Sequence, residues 1–397
     1  MLSVAEGRRA RLEQLLGEDA GRAERRAAET FDRAVAPLRG GMIVYGAGGL
    51  GRRVVAGMRA NGWDPLAFVD RDPAVWARQV DGLAVLSPEV AVNRYGRDAV
   101  FVVAVWNPVV SGGIQGIIAA LKAMGCVRVV PFVWLFWKFP RTFLPYYLWD
   151  LPARVLESAD SVRRTFELFG GARSQGEFLR QLELRLTGAF GCLKPPDDDP
   201  QYFPRRLFRP RAQECFVDCG AFTGDSLSGL ADWTGGRFRK AIAFEADPAN
   251  FARLVATVEG DERLRGRVRA VPQAVGLKKC AVRFAAAGLG SSAIAALPGA
   301  GDIGVISVAC TSLDDALADE RPTYIKMDIE GAELDALTGA AATLARDRPR
   351  LAICSYHLQY HLWKVPGRMA ELMPDARLAL RPHCADGFDL VCYAVNR

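Results

Sequence analysis

The chain lacks any apolar run near the ~20 residues that a membrane-spanning helix needs. Its densest hydrophobic stretch, "VRVVPFVWLFWKFPRTFLPYYLW" at residues 127–149, is interrupted by Lys138, Arg141 and several prolines. The N-terminus has no apolar core of a signal peptide and mixes acids with arginines. The sequence therefore predicts no membrane span and no targeting peptide, and we interpret residues 127–149 as a buried aromatic connector.

The chain also lacks paired cysteines and a strong excess of one charge. Its 9 cysteines are odd in number and contain no C-x-x-C pair, so neither a disulfide framework nor a zinc site is indicated. This pattern favours a reducing cytoplasm. The 51 basic and 45 acidic residues are spread along the chain and give a net charge of only +6. Such a balance predicts no nucleic-acid partner, and it leaves open whether the chain forms a homo-oligomer.

Two domains are expected, because 397 residues exceed the roughly 250 to 300 at which single cores stop growing. Short apolar runs alternate with helical patterns, which is typical of βαβ units and an α/β fold. We predict an N-terminal helical segment (1–40), a Rossmann-like nucleotide- or sugar-binding domain (41–133), a helical connector with a Pro-rich linker (134–213), and a second Rossmann-like domain (214–397). The last two apolar runs flank "CADG", which predicts an antiparallel hairpin at one edge of a mostly parallel sheet.

The first glycine loop, "YGAGGLGRRVV", places Gly46, Gly48 and Gly51 in the G-x-G-x-x-G spacing after a short apolar run. Asp70 ends the next apolar run, where dinucleotide-binding folds carry an acid for a ribose hydroxyl. The turn itself holds no carboxylate, so its backbone N–H groups suit a pyrophosphate. These four residues are a candidate second nucleotide or sugar site. The alternative, that the glycines only pack a helix against a strand, stays open.

The second glycine loop, "FVDCGAFTGDSL" at residues 216–227, is flanked by Asp218 and Asp225. Two carboxylates there would repel a pyrophosphate by about 1 kcal/mol or more per close pair, but they would attract a cation. Glu245 ends the next strand, where a carboxylate can accept both ribose hydroxyls. S-adenosylmethionine has a sulfonium, an ammonium and no phosphate, so it matches this pattern. The alternative is that these acids are only helix caps and surface groups.

The motifs "FVDCGAFTGDSL", "AIAFEADPANFARL", "TSLDDAL" and "YIKMDIEGAELDALTGA" resemble, in order and spacing, the FkbM family of S-adenosylmethionine-dependent methyltransferases over about residues 215–395. The resemblance implies a Rossmann-like methyltransferase sheet and methyl transfer to oxygen, often on sugars of polysaccharides, glycolipids or natural products. On this basis the predicted cofactor-binding residues are Asp218, Gly220, Phe222, Gly224, Asp225, Glu245, Asp247 and Gln273. In addition, "IVYGAGGLGRRVV" and "AFVDRD" resemble the nucleotide-sugar-binding N-terminal domain of bacterial sugar acyltransferases.

The candidate catalytic residues follow the next two strands. In "TYIKMDIEGAEL", Asp328 ends a strand beside the cofactor loop, and either lines the methyl-transfer site or only pairs with Lys326. His357 ends the neighbouring strand, so we hypothesise that it is the general base. Many FkbM members carry a Glu near the strand end "AICSYH", which leaves the base open between His357, Asp328, Glu330 and a group bound to a divalent metal. The loop "GLGSSAI" at residues 288–294 could close over the acceptor.

The leading hypothesis is an O-methyltransferase that uses S-adenosylmethionine and acts on a hydroxyl of a sugar or glycoconjugate, so that its partner is a small-molecule or glycan acceptor. One alternative is an NAD-dependent oxidoreductase that uses the first glycine loop, although no Tyr-x-x-x-Lys pair follows in that domain. Another is a non-catalytic protein that binds sugar nucleotides.

Overall fold

A computed structural model describes residues 4–37, 40–106, 112–285, 293–294 and 305–395. The chain divides into two compact units. The first comprises Met1–Ala159, Leu179–Pro195 and Cys384–Gly387, and the second comprises Asp160–Phe178, Pro196–His383 and Phe388–Arg397. Across the described ranges, no helix is long and apolar enough to cross a membrane. Most of the Gly/Ser-rich loop predicted at residues 288–294 lies outside the described residues.

The first unit is built on a parallel sheet. Its strands are β1 (Met42–Tyr45), β2 (Ala67–Val69), β3 (Gln79–Val80), β4 (Leu83–Leu86), β5 (Val100–Val103) and β6 (Arg128–Pro131). The strand order is β3-β4-β2-β1-β5-β6, and β3 alone is antiparallel to its neighbour. Strands β1 and β5 are buried along their whole length, as expected for apolar strands covered on both faces.

Helices complete the first unit. They are α1 (Val4–Leu16), α2 (Ala20–Val35), α3 (Gly49–Ala60), α4 (Pro88–Tyr95), α5 (Gly113–Ala123), α6 (Phe132–Lys138), α7 (Pro140–Phe143) and α8 (Pro152–Glu157), with 3-10 turns at Pro73–Val75 and Phe190–Cys192. The aromatic connector is buried here: the rings of Phe136 and Phe143 stack at 4.3 Å, and the Trp137 indole donates a hydrogen bond to the carbonyl of Asp150.

The second unit contains the larger sheet. Helix α9 (Ala159–Leu168) begins it, and α10 (Ala172–Thr187) is divided between the units. The remaining helices are α11 (Asp225–Thr234), α12 (Pro248–Gly260), α13 (Leu313–Ala316), α14 (Glu333–Thr338), α15 (Ala341–Asp347) and α16 (His361–Leu372). The strands are β7 (Cys215–Cys219), β8 (Lys240–Phe244), β9 (Val268–Val271), β10 (Ala274–Val275), β11 (Cys280–Ala285), β12 (Ala293–Ile294), β13 (Val305–Thr311), β14 (Tyr324–Met327), β15 (Arg350–Cys354), β16 (Arg377–Pro382) and β17 (Leu390–Val395).

The strand order of the larger sheet determines where a ligand can bind. The order is β16-β17-β15-β14-β7-β8-β9, parallel from β9 to β15, with β17 antiparallel to both of its neighbours. From β7 the chain first builds outward through β8 and β9, and later returns to the other side of β7 as β14. The topological switch point therefore lies between β7 and β14, where open α/β sheets bind ligands. The prediction of an α/β fold with Rossmann-like sheets and an antiparallel edge hairpin is confirmed.

A smaller sheet has the order β10-β13-β11-β12, and the sequence predicted none of its strands β11, β12 and β13, because it placed no strand in residues 277–321. Strands β11 and β13 pair antiparallel, with Cys280 opposite Cys310 and Phe284 opposite Ile306. The side chain of Phe284 lines the cavity described below.

Candidate active site

The glycine turn after β7 brings the ends of β7 and β14 into close contact. Gly220 has a φ of +80°, and a Cβ at this position would lie 1.9 Å from the carbonyl oxygen of Asp328. Only glycine fits such a conformation at such a distance. Gly224 has a φ of +93° and directly precedes α11, so its Cα hydrogen allows the sharp entry into that helix.

A cavity opens at this carboxyl edge of the sheet. The predicted cofactor residues that line it are Gly220, Phe222, Asp225, Glu245 and Gln273. Three other predicted residues, Asp218, Gly224 and Asp247, are not among its lining residues. Asp247 instead caps α12, because its carboxylate accepts the N–H groups of Ala249 and Asn250.

Glu245 connects the glycine turn to the cavity. Its carboxylate accepts the N–H of Phe222 and the N–H of Asp247, both at 2.8 Å. Burial raises the pKa of Glu245, and the two backbone hydrogen bonds oppose that shift. A carboxylate offers about four acceptor positions, so two remain for ligand hydroxyls in the cavity that Glu245 lines.

Asp218 has a different partner from the one predicted. It is opposite Lys326 in the β7–β14 register, its Oδ1 lies 2.9 Å from Lys326 Nζ, and it also accepts a hydrogen bond from the Ser226 hydroxyl. Lys326 also donates to the carbonyl of Gly220 at 2.6 Å. Burial lowers the pKa of Lys326, but the neighbouring carboxylates raise it further, so the net shift is upward. The alternative in which Lys326 pairs with Asp328 is therefore replaced by a pair between Lys326 and Asp218, which neutralises the charge of Asp218 within the protein.

The predicted catalytic residues do come together. Asp328 accepts a hydrogen bond from the Tyr202 hydroxyl at 2.7 Å, and its Oδ1 lies 3.1 Å from His357 Nε2. The same nitrogen is 3.7 Å from Glu330, while His357 Nδ1 is 2.8 Å from Glu333. Asp328 and Glu330 line the cavity, whereas His357 is 2% exposed and is not among the lining residues.

The charges of this cluster determine its protonation. Burial lowers the pKa of His357, but Glu333, Glu330 and Asp328 together hold it well above its ordinary value. Burial likewise raises the pKa of Asp328, and the bond to His357 reverses that shift, so the net pKa is low. A protonated imidazole has no lone pair with which to take a proton. The carboxylates beside both ring nitrogens therefore favour a carboxylate of the cavity over His357 as a proton acceptor.

Comparison with known proteins gives a family match for most of the larger sheet. Residues 218–382 match the family model described as the methyltransferase FkbM domain.

The segment is an FkbM methyltransferase domain.

Solved structures resemble the chain to different degrees. The crystal structure of methyltransferase FkbM from Methylobacillus flagellatus KT is 22% identical, with a TM-score of 0.71 over 95% of this chain and 99% of that one, which shows a shared fold. An rRNA methylase from Streptococcus thermophilus matches 48% of this chain and 91% of its own at 12% identity and a TM-score of 0.28. No curated protein matches the chain.

The FkbM domain contains one group whose composition would suit a metal. Within the described residues, ligand atoms of Asp328, Glu333 and His357 lie within 4.8 Å of one another. Carboxylates face both nitrogens of the imidazole, which is also the geometry of an ion-paired imidazolium.

Several residues that line the cavity were not predicted from the sequence, among them Gln201, Tyr202 and Asp389. The first two belong to the Pro-rich segment interpreted as a linker, and Asp389 directly precedes β17. Among the described residues that line the cavity, four non-glycine residues have a positive φ, namely Tyr202 (+68°), Phe222 (+49°), Glu330 (+54°) and Asp389 (+50°). Such backbone strain clusters at functional sites. No sequence pattern marks a positive φ in a residue other than glycine.

The first glycine loop belongs to the first unit, and its glycines differ in what surrounds them. A Cβ on Gly51 would lie 1.8 Å from the carbonyl oxygen of Gly46, so these two glycines serve helix–strand packing. A Cβ on Gly48 would meet no atom within 4 Å. Asp70 accepts the N–H groups of Ala47 and Asp72 and so braces the turn.

Proposed function

We propose that the protein transfers a methyl group from S-adenosylmethionine to a hydroxyl oxygen of a sugar or glycoconjugate. The observation that carries the proposal is the cavity at the switch point of the FkbM domain, lined by Asp225 at the start of α11 and by Glu245 and Asp328 directly after β8 and β14. When bound, the cofactor supplies a methyl group on a positively charged sulfur.

The residues present fit this cofactor. The lining carboxylates suit its sulfonium and ammonium groups, and Glu245 keeps acceptor positions for ribose hydroxyls. Gly220, Phe222, Asp225 and Gln273 would complete its binding surface. A pyrophosphate fits poorly, because Lys326 is already matched by Asp218.

The acceptor side of the cavity holds Asp328 and Glu330, with Tyr202 hydrogen-bonded to Asp328. Carboxylates accept hydrogen bonds from sugar hydroxyls, so these residues would orient the acceptor, and positioning supplies much of the rate in a displacement of this kind. His357, which does not line the cavity, would hold the carboxylates of Asp328 and Glu330 in place. A polysaccharide, a glycolipid or a natural product could carry such a hydroxyl.

Two further assignments belong to the proposal. The first glycine loop would bind a nucleotide or sugar around Gly48 and Asp70, since the space at Gly48 is open. The protein would work in the cytoplasm, where its free cysteines stay reduced.

Binding and turnover measurements test the function. Calorimetry with S-adenosylhomocysteine, NAD and UDP-sugars should give binding of S-adenosylhomocysteine that Glu245→Ala weakens and the exposed control Glu262→Ala leaves intact. Labelled S-adenosylmethionine should then transfer its methyl group to members of a panel of glycosides and oligosaccharides. Binding of NAD without S-adenosylhomocysteine would support the oxidoreductase alternative and overturn the proposal.

A further inference from the structure

Asp389 lies in the same cavity as Asp328, and two residues of the Pro-rich segment connect them. The Gln201 side chain donates to the Tyr202 hydroxyl at 3.0 Å, and it also faces the Asp389 carboxylate, whose pKa it lowers. The Tyr202 hydroxyl in turn donates to Asp328 at 2.7 Å. Hydrogen bonds therefore join Gln201, Tyr202 and Asp328, and Asp389 lines the same cavity beside them.

The backbone holds this chain of residues in an unusual conformation. Tyr202 and Asp389 both have a left-handed φ, at +68° and +50°. The N–H of Tyr202 donates to the Tyr393 hydroxyl at 3.1 Å, and the Tyr324 hydroxyl donates to the Tyr202 carbonyl. Tyrosines of β14 and β17 thus fix the Pro-rich segment against the sheet edge at this point.

The carboxylates of the cavity differ in what surrounds them. Asp328 faces the His357 imidazolium at 3.1 Å, which makes it a weak base. The groups that face Asp389 are Asp328, Tyr202, Gln201 and Tyr356, with His357 at longer range. Burial and the Asp328 charge raise the pKa of Asp389 to about 6. A carboxylate with a pKa near the operating pH is still ionised at pH 7 and is a better base than an ordinary one.

We propose that Asp389 is the general base that takes the hydroxyl proton of the acceptor, with Gln201 and Tyr202 as the residues that position it. This inference rests on the proposed function. The O–H bond breaks and its proton goes to the Asp389 carboxylate. The oxygen electron pair forms the bond to the methyl carbon as the carbon–sulfur bond breaks and leaves its pair on sulfur. Release of the proton to solvent regenerates the carboxylate.

Asp389→Asn is the variant that tests the proposal, because asparagine keeps the shape of the side chain and tolerates a left-handed φ. Turnover on the best acceptor of the panel should fall by roughly 10² to 10⁴-fold, while the affinity for S-adenosylhomocysteine stays within about twofold. The fall in native turnover below about pH 6 should be absent from the variant. The matched control is Asp386→Asn, three positions earlier, whose buried carboxylate caps α5 through the Ile114 N–H and does not line the cavity; its turnover should be native.

A second readout needs no acceptor. Carbon NMR of the side-chain carboxyl groups should show a resonance that is absent from Asp389→Asn and titrates near pH 6 in the native protein. Near-native turnover of Asp389→Asn, or a titration of this carboxyl near the ordinary value of ~3.9, overturns the inference while the proposed function stands. Loss of S-adenosylhomocysteine binding in the variant also overturns it, since Asp389 would then be a cofactor ligand. If the native protein does not bind S-adenosylhomocysteine, it is the proposed function that fails.

Discussion

At the scale of single residues, the main feature of the second unit is a set of buried charges at the strand ends. Asp218 and Lys326 are 0% and 3% exposed, and each is the other's charge partner across β7 and β14. A buried ion pair is costly to break, because removal of one partner leaves an uncompensated charge in the protein interior. Asp218 therefore acts on the cavity through Lys326, which lines it.

Asp218→Ala should destabilise the protein by about 3 to 5 kcal/mol, since it leaves the Lys326 ammonium buried without its carboxylate. Denaturant unfolding measures the change. The control is Asp232→Ala, which removes a surface ion pair with Arg263 and should cost at most about 1 kcal/mol. Equal losses in the two variants would contradict the assignment.

Glu245→Ala should weaken S-adenosylhomocysteine binding by roughly 1.5 to 3 kcal/mol, because it removes hydrogen bonds from ligand hydroxyls to a charged group. Calorimetry measures the affinity. Glu245→Gln keeps an acceptor oxygen for the N–H of Phe222 or Asp247 and should lose less. Unchanged affinity in Glu245→Ala would remove Glu245 from the proposed site.

The His357 cluster predicts a definite dependence of stability on pH. A pKa that is higher in the folded than in the unfolded chain gives stability that is complete below the unfolded value of ~6.5 and is lost as pH rises toward the folded value. His357→Gln should therefore lower the free energy of unfolding more at pH 6 than at pH 9. Urea unfolding at both values measures the difference.

For His383 we expect the opposite dependence of stability on pH. Burial lowers its pKa to about 4, so native stability from this residue is lost as pH falls below ~6.5. His383→Gln should therefore lower the free energy of unfolding less at pH 5 than at pH 7, as measured by urea unfolding. If the His357 variant followed the same trend as the His383 variant, the imidazolium assignment would be wrong.

At the scale of elements, the two glycine loops are stabilised by the same pattern of hydrogen bonds. An acid at the end of the second strand, Asp70 after β2 or Glu245 after β8, accepts an N–H of the preceding glycine turn and the N–H two residues further on. The carboxylate therefore holds turn and strand together in each unit. The function of such an acid as a ligand-binding group comes in addition to this structural one.

Gly51→Ala should destabilise the first unit by roughly 1 to 3 kcal/mol, because its Cβ would overlap the Gly46 carbonyl. Gly48→Ala meets no atom within 4 Å and should be nearly neutral. Thermal unfolding compares the two. Gly48→Val should leave S-adenosylhomocysteine binding intact, and loss of that binding in a folded variant would contradict separate sites.

The sequence predicted the larger sheet because its parallel strands are apolar runs that end in polar residues, as in "CFVDCG" and "AIAFEA". It did not predict β11 and β13, although Cys280, Val282 and Phe284 alternate with other residues as half-buried strands do. Tyr202 and Asp328 are 126 positions apart, and no local periodicity could join them. Contacts of this kind depend on the tertiary fold.

On the scale of the whole molecule, a weakly basic chain encloses an acidic cavity. The lining carboxylates are Asp225, Glu245, Asp328, Glu330 and Asp389, against the single lysine Lys326 among the lining residues of this cavity. Because Lys326 is paired with Asp218, the field inside is negative. A neutral hydroxyl can approach without a penalty, whereas a phosphate cannot.

Under the proposed function, a neutral glycoside should therefore be methylated at least about tenfold more efficiently than its phosphorylated counterpart, since one extra repulsion of ~1.4 kcal/mol gives that ratio. The kcat/KM values of a matched pair measure it. Glu330→Gln removes one negative charge from the cavity and should lower the ratio of the two kcat/KM values. The exposed control Asp375→Asn should leave that ratio unchanged. A preference for the phosphorylated member would contradict the charge argument.

The Pro-rich segment and the last hairpin have a consequence for how relatives diverge. The FkbM match covers residues 218–382, so Gln201, Tyr202 and Asp389 lie outside the stretch that defines the family. A lineage could exchange one acceptor for another by altering these flanks while every family motif stays intact. Relatives with indistinguishable core motifs should then methylate different hydroxyls, and substrate preference should follow the flanking sequence.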